Sequence, residues 1–274
     1  FFLCFCSVLS LFMVSYLSPL PVAVGSPARA IDGGSTVDRA DLEFQQTVGA
    51  GEDLRWIWGA SVRSDRAEVP LLFPGTRDLL VQRLFARAEW SPSERILVNV
   101  GAMFEDNDIT GSDLAPQLGF NFRATPNHTV RLNLSKALRT PTLIENQSAF
   151  NVGPPGTPRE GPAGELLPES ILSRELSYVG QWPAQHLTLD VKLFDDDIQD
   201  LIALVGLREN AASGAFPRNA VNGDDARQRG IEAQLQWRPD TDTLLLARAS
   251  YLDTDSDDRL DRHPSAAPSN IPHA

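Results

Sequence analysis

The sequence predicts an all-β protein, an antiparallel transmembrane β-barrel, and three observations support this fold class. Ten runs of residues alternate between apolar and polar side chains, as strands with one apolar and one polar face do. Short turns and mostly longer loops alternate between these runs. An aromatic residue stands before each of four short turns. Strands joined by short turns pair antiparallel, so the runs predict neighbouring strands of an antiparallel sheet.

The composition narrows the class of protein. The chain has 274 residues, of which 42% are hydrophobic, an ordinary fraction for a globular protein and too low for a helical membrane protein. Its net charge is −12 and it has no basic stripe, which argues against nucleic acid as a partner. Cys4 and Cys6 are the only cysteines, so the rest of the chain has neither a disulfide framework nor a thiolate metal site.

The polar residues do not predict catalysis. The acidic run 105–113 resembles half of a calcium-binding loop, but it lacks the later glutamate ligand, so we predict a solvated loop there. The four histidines are scattered, and no phosphate loop, nucleophile elbow or metal-ligand spacing occurs. The sequence therefore predicts no enzyme activity, no catalytic or metal site and no cofactor.

The first thirty residues differ from the rest of the chain. They carry no charge before Arg29, and the continuous apolar part, residues 1–17, is short for a transmembrane helix. Because Ala28-Arg29-Ala30 resembles a cleavage site, we predict a signal-like segment over residues 1–30. Sequence that does not belong to the native protein is the alternative. The predicted barrel domain then covers residues 39–274.

Four of the ten runs show the alternation most clearly, at residues 53–63, 95–105, 186–194 and 229–237. Six further runs are less regular and lie at residues 40–49, 79–90, 114–124, 129–138, 171–182 and 244–253. The short turns that join them are residues 91–94, 125–128, 183–186 and 238–243, and the mostly longer connections are residues 64–78, 105–113, 139–170 and 199–228. One end of the sheet is therefore predicted to carry tight turns and the other end to carry loops.

Three properties favour a membrane barrel over a soluble β-sandwich or lipocalin-like barrel, which alternation alone does not exclude. The runs reach about 9–11 residues, the length that a tilted strand needs to cross a bilayer. Tight turns at one end and long loops at the other are typical of outer-membrane barrels. Aromatic residues at the tight-turn end suit a girdle at the lipid headgroups. The predicted girdle consists of Trp90, Phe122, Trp182 and Trp237.

Four sequence elements in a fixed order resemble the barrel of TonB-dependent outer-membrane receptors. An Arg-x-Pro-x-x-x-Glu element is formed by Arg139, Pro141 and Glu145. A proline–glutamate pair, Pro168 and Glu169, is followed by a strand that carries Glu175. The third element is Phe-x-x-x-Ile-x-Asp-x-Ile, which starts at Phe194, and the fourth is Asn…Gly-Ile-Glu, with Asn219 or Asn222 before Gly230 and Glu232. The combination, over some 230 residues, carries the resemblance.

The resemblance implies a 22-stranded barrel plugged by an N-terminal domain, in the outer membrane of a bacterium. It implies uptake of a scarce ligand, most often a ferric siderophore. The energy would come from a TonB partner, which binds a short sequence segment, the box, ahead of the plug. The ten predicted strands are under half of such a barrel, and no plug or box is found, so we expect a barrel fragment.

The ligand-contacting residues are not predicted, although the Gly- and Pro-rich residues 153–168 suit a ligand-capturing external loop. A passive porin-like channel and a soluble all-β binding domain are the alternative functions.

Overall fold

A computed structural model describes residues 3–18, 22–24, 29–31, 34–70, 73, 75–147, 165–206 and 218–257. Its main feature is an eleven-stranded antiparallel sheet, and two short two-stranded ribbons accompany it. The strands of the sheet are β1 (Leu3–Ser18), β4 (Ser35–Ala50), β5 (Leu54–Glu68), β6 (Thr76–Ser93), β7 (Ile96–Asn107), β8 (Gly111–Thr125), β9 (His128–Arg139), β10 (Glu169–Trp182), β11 (Leu187–Gln199), β14 (Asp225–Trp237) and β15 (Leu245–Asp257). The ribbons are β2 (Val22–Val24) with β3 (Arg29–Ile31) and β12 (Ile202–Gly206) with β13 (Arg218–Asn222).

All ten predicted strands are confirmed. Strands of this sheet that follow one another along the chain are also neighbours within it. Within the described residues, β1 and β15 form the two edges of this sheet and do not pair with each other. Most strands extend beyond the predicted alternating runs. The extensions carry charged residues that pair across strands; for example, Arg66 near the end of β5 donates to Asp78 of β6 at 2.9 Å.

The prediction of a solvated loop over residues 105–113 is wrong, because β7 and β8 continue into it and leave only a three-residue turn. The Asn107 side chain, 6% exposed, holds this turn. Its Oδ1 accepts hydrogen bonds from the backbone N–H groups of Ile109 at 2.9 Å and Thr110 at 2.8 Å. Asn107 therefore replaces the missing ladder bonds at the point where the chain reverses.

The two longest connections at the loop end contain short regular elements. In the connection after β9, the one-turn helix α1 spans Leu143–Gln147. The connection after β11 contains the β12–β13 ribbon. Most of the Gly- and Pro-rich run 153–168 lies outside the described residues. In the described part of the chain, no helix has the length and apolar character needed to cross a membrane.

Residues 3–18 form a strand that pairs with β4 from Leu3↔Ala50 to Ser18↔Ser35. The sequence predicts a segment separate from the barrel domain here, whereas the structure places residues 3–18 at an edge of the sheet. The signal-like assignment of residues 1–30 and the barrel domain over residues 39–274 stay predictions.

The sheet has one apolar face and one polar face, which the strand register keeps separate from strand to strand. On the apolar face, Trp56, Trp58, Leu84, Trp90, Val100, Phe104, Leu118, Phe120, Leu132, Leu176, Leu193 and Trp237 are all exposed to solvent as large hydrophobic side chains. The polar face carries cross-strand ion pairs, among them Arg39–Asp65, Arg83–Glu105 and Lys192–Glu232. This arrangement is inverted relative to a soluble protein, and it fits a sheet whose apolar face meets lipid.

Candidate functional site

The first cluster, which we name the loop anchor, consists of Arg139, Glu145 and Glu169 at the loop end of β9 and β10. The Arg139 guanidinium donates to both carboxylate oxygens of Glu169, with Nε to Oε2 at 2.5 Å and Nη2 to Oε1 at 2.7 Å. It also donates from Nη1 to Glu145 Oε2 at 3.0 Å. One planar cation therefore bridges the end of β9, the start of β10 and the helix between them, with charge-assisted hydrogen bonds.

The Arg-x-Pro-x-x-x-Glu spacing follows from how the chain leaves β9. Pro141 is fully buried and directs the chain out of the strand. Thr142 then caps α1: its Oγ1 accepts from the Glu145 N–H at 3.2 Å, and Glu145 Oε2 accepts from the Thr142 N–H at 2.8 Å. This reciprocal pair is a capping box, which needs Glu three residues after Thr. The motif thus places the Glu145 carboxylate where Arg139 can reach it.

The Glu145 carboxyl has a lowered pKa. Burial alone would raise this pKa, but hydrogen bonds from Arg139 and from Thr142 outweigh burial and lower it. Glu145 is therefore ionised at neutral pH, and the anchor contains two carboxylates to one guanidinium.

The second long connection is tied to the same point. Glu169 Oε1 accepts a hydrogen bond from the Ile202 N–H at 2.7 Å. The Asn222 side chain accepts from the Leu167 N–H at 2.7 Å and donates to the carbonyls of Leu167 at 3.0 Å and Asp200 at 2.8 Å. The loop anchor and Asn222 therefore hold both long connections against the sheet, close to where they leave it and return to it.

The second cluster, the polar-face patch, brings together Glu175, Phe194, Gly230 and Glu232 from three strands. The register places Glu175 opposite Phe194, and Phe194 opposite Gly230. A Cβ on residue 230 would lie 2.5 Å from Phe194 Cζ, so only glycine leaves room for this ring. Phe194 therefore covers the bare backbone of Gly230, as aromatic residues do across from a strand glycine.

Charged groups surround the Phe194 ring. Lys192 Nζ lies 2.6 Å from Glu232 Oε2 and 5.5 Å from the centre of the Phe194 ring, which is within cation–π range. Asn133 Nδ2 donates to Glu175 Oε1 at 3.1 Å. Sequence reasoning named four of these residues separately, and the structure shows that they are neighbours.

Sequence reasoning missed a second pair of the same kind on β5 and β6. Gly59 and Phe85 are register partners, and a Cβ on residue 59 would collide with the Phe85 ring. The glycine within the 53–63 run was the available signal, because a strand glycine often marks a close approach by another group.

Further charge pairs lie elsewhere on the polar face. Glu105 accepts hydrogen bonds from Arg83 Nε at 2.7 Å and from Thr140 Oγ1 at 2.7 Å. Arg55 donates to Glu89, and Arg87 lies 3.1 Å from the same carboxylate. Such a surface suits a wet lumen or a polar partner, because burying these groups in a dry core would be costly. In the described part of the chain, no three His, Cys, Asp or Glu side chains are grouped to hold a metal ion.

The four predicted girdle residues lie on the apolar face, each at the tight-turn end of a strand: Trp90 in β6, Phe122 in β8, Trp182 in β10 and Trp237 in β14. Trp237 Nε1 donates to the Gln185 carbonyl in the neighbouring turn at 3.1 Å. An indole held in this way has its polar edge at the turn and its ring on the apolar face. Placement of these rings at lipid headgroups stays a prediction.

Two residues extend this aromatic row beyond the prediction. His128 Nδ1 lies 2.8 Å from Tyr178 Oη, and the His128 ring stands edge-on to Trp182 at 5.1 Å. A Cβ on Gly180 would lie 2.5 Å from Tyr178 Oη. The periodicity placed Tyr178 in a strand, but only the register shows that it meets His128.

At the loop end, charged side chains form the border of the apolar face. Asp195 Oδ2 accepts from Arg227 Nη2 at 2.6 Å, and Arg229 lies 3.8 Å from the same carboxylate. Exposed apolar residues such as Leu193 and Ile231 lie between this ion cluster and the aromatic row. An apolar band between aromatic and charged borders is the pattern of a transmembrane β-barrel surface.

These features define the class of the protein: an antiparallel barrel sheet with a lipid-type outer surface, a polar lining and anchored loops at one end. The family model described as TonB dependent receptor-like, beta-barrel matches residues 26–272, so the chain belongs to this family. Barrels of this family are outer-membrane proteins. No curated protein matches the chain.

Solved structures show the same fold. The siderophore receptor PirA from Pseudomonas aeruginosa is 12% identical, with a TM-score of 0.75 over 93% of this chain and 51% of that chain. PirA from Acinetobacter baumannii is 17% identical, with a TM-score of 0.68 over 90% of this chain and 41% of that chain. The copper transporter OprC is 18% identical, with a TM-score of 0.61 over 81% of this chain and 40% of that chain. The chain therefore spans about half the length of these relatives or less.

Proposed function

We propose that this chain is a barrel segment of a TonB-dependent outer-membrane receptor that takes up a ferric siderophore. The observation that carries the proposal is the family match over residues 26–272. Two of the similar structures are siderophore receptors, which favours an iron chelate as the ligand. OprC, a copper transporter with the same fold, makes copper the second candidate.

The loop anchor supports ligand capture by loops. Arg139, Glu169 and Asn222 hold both long connections where they leave the sheet. Rigid attachment at the base leaves the remainder of each connection available for recognition. In our proposal these connections face the outside of the cell and receive the ligand above the polar lining.

The domain arrangement is also proposed. Residues 1–30 act as a signal-like segment, and residues 39–274 contribute strands to a 22-stranded barrel that a plug domain fills. TonB engages a box ahead of the plug and supplies the energy, because an outer-membrane protein has no ion gradient of its own to use.

The test is ligand-dependent uptake by the full-length protein in an iron-starved bacterial strain without its own siderophore receptors. We expect radiolabelled ferric siderophore to accumulate in cells with TonB and not in an otherwise identical strain without TonB. Equal uptake with and without TonB would indicate a passive channel. Accumulation of copper with no ferric siderophore uptake would replace the proposed ligand with copper.

A further inference from the structure

On the apolar face, a shallow groove crosses the sheet from β5 to β10. Its floor is a row of small side chains that the register aligns: Ala86 opposite Ala102, and Ala102 opposite Pro116. Trp56 and Trp90 line it at one end and Leu172 at the other, and the space measures about 990 Å³. This volume is at the upper end of the range for small-molecule sites, which is about 300–1,000 Å³.

The groove rises from the tight-turn end toward the loop end. Trp58, the register partner of Ala86, lies four residues into β5, which begins at Leu54. Lys136, which also lines the groove, lies eight residues into β9 from His128. A long, flexible molecule in the groove would therefore lie at an angle to the plane of the membrane. One of its ends would be at Lys136, in the half of the apolar face nearer the loops.

Lys136 lines the upper end of the groove, and Arg174 lies next to it on the neighbouring strand. Lys136 and Arg174 are both exposed, and the register Lys136↔Leu172 and Leu134↔Arg174 makes them diagonal neighbours on the apolar face. Among the described residues, neither has a hydrogen bond or a salt bridge. Asp195, the register partner of Arg174, accepts a hydrogen bond from Arg227 at 2.6 Å, and Arg174 interacts with Asp195 through charge alone, without a salt bridge.

Cations without a hydrogen-bonded partner on a lipid-facing surface are costly at the bilayer centre and tolerated near the headgroups. A phosphate there would accept charge-assisted hydrogen bonds from both side chains. The apolar groove below them offers alanine-floored space for a hydrocarbon chain. The site therefore has its cations near the headgroups and its apolar groove toward the bilayer centre. The phosphate and the acyl chains of a membrane lipid are arranged in the same way.

We propose that this groove binds an anionic, phosphate-bearing lipid of the external leaflet, with its phosphate on Lys136 and Arg174 and an acyl chain over Ala86, Ala102 and Pro116. The site rests on the proposed membrane placement of the apolar face. It is separate from the ligand path on the polar face.

Tryptophan quenching tests the site in the full-length protein, with Trp182 and Trp237 replaced by Phe so that this segment reports from the groove. The protein is placed in phosphatidylcholine vesicles that contain phosphatidylglycerol, and either lipid carries brominated acyl chains. We expect brominated phosphatidylglycerol to quench with a preference of about 25-fold over brominated phosphatidylcholine, because the two cations contribute about fivefold each. Each cation removed should reduce this preference about fivefold.

Matched variants separate the parts of the site. Lys136→Gln with Arg174→Gln should remove the preference, Lys136→Arg should retain it, and Ala102→Phe should weaken it by filling the groove. Arg131→Gln, an exposed cation on the polar face of β9, should have no effect.

Equal quenching by the two lipids in the parent protein, or a preference that survives the double variant, would overturn the proposal. Loss of the preference on addition of millimolar inorganic phosphate would assign a small-anion site instead of a lipid site. No quenching by either lipid would overturn the membrane placement itself, whereas the uptake experiment tests transport independently.

Discussion

Strands β11 and β1 are both long and both belong to the same sheet, but their side chains differ. In β11, Val191 and Leu193 point to the apolar face, and Asp190 and Lys192 to the polar face, where Lys192 pairs with Glu232. In β1, apolar residues occupy both faces. The difference shows that backbone pairing alone does not make a barrel strand, because the side chains must also match lipid on one face and a polar lining on the other.

The mismatch in β1 is clearest against its neighbour. Phe12 lies opposite Asp41 and Val14 opposite Arg39, on the face where β4 and β5 place their charges. Phe12 is 58% exposed and Leu11 69% exposed. The signal-like assignment of residues 1–30 stays a prediction, and under it β1 would not contribute a permanent strand.

The largest effect is expected from a charge on the apolar face of β11. Val191→Arg in the full-length protein should cost about 2–4 kcal/mol of unfolding free energy, because the guanidinium would lie in the hydrocarbon. Urea unfolding in phospholipid vesicles, followed by tryptophan fluorescence, measures the loss. Replacement of residues 1–30 by an unrelated signal peptide is the matched change at β1 and should leave the unfolding free energy of the exported protein unaltered. A loss of similar size there would make β1 a true barrel strand.

A smaller loss is expected where β11 meets β14. Gly230→Val should destabilise the barrel by about 1–3 kcal/mol, since the new side chain meets the Phe194 ring and the Tyr251 carbonyl oxygen, each 2.5 Å from a Cβ. The same unfolding experiment reports it. Ala249→Val on the apolar face of β15 adds two methyl groups to an existing Cβ at an exposed site and should be near neutral. Equal effects of the two changes would show that the close approach at Gly230 is unimportant.

The loop anchor should have a local effect. Arg139→Gln leaves Glu145 and Glu169 without their shared cation and should loosen the 140–168 connection by about 1–2 kcal/mol, a modest value because Arg139 is 44% exposed. Limited proteolysis of intact cells should cut this connection several-fold faster. Arg131→Gln on the same strand is the control. An unchanged cleavage rate in Arg139→Gln would contradict the anchoring role.

The smallest expected effect is a dependence of the loop anchor's stability on pH. Because the folded-state pKa of Glu145 is lowered, its contribution to stability is present above the ordinary carboxyl pKa of about 4.3 and is lost as the pH falls through the lowered value. Proteolysis with an acid-tolerant protease should therefore be constant from neutral pH down to about pH 5 and accelerate below about pH 4. Glu145→Gln should weaken this acceleration. An acceleration centred near pH 6 would point to another group.

The strands could be predicted because each carries its own alternation, which needs no knowledge of its neighbours. The ends of the strands could not be predicted in this way. The acidic run 105–113 has the composition of a loop, but Asn107 closes a tight turn within it. That turn depends on one side chain that reaches two backbone N–H groups. The family motifs located Arg139, Pro141 and Glu145, and the capping box at Thr142 explains their spacing.

The clusters depend on register, which the sequence does not give. Phe194 and Gly230 meet because hydrogen bonding places them directly opposite each other. Lys136 and Arg174 form a candidate site only together with the groove, which residues from six strands line. Periodicity assigns a face to each residue, and only pairing decides which residues on that face are neighbours.

The central claim is that the alternation in β11 separates lipid from a polar lining, and single-cysteine labelling tests it most directly. In full-length protein in outer-membrane vesicles, with Cys4 and Cys6 replaced by Ser, cysteines are placed one at a time from Leu189 to Phe194. We expect a water-soluble maleimide to label positions 190, 192 and 194, and a membrane-soluble maleimide to label positions 189, 191 and 193. Labelling by the water-soluble reagent at all six positions would contradict the membrane barrel and favour a soluble sheet.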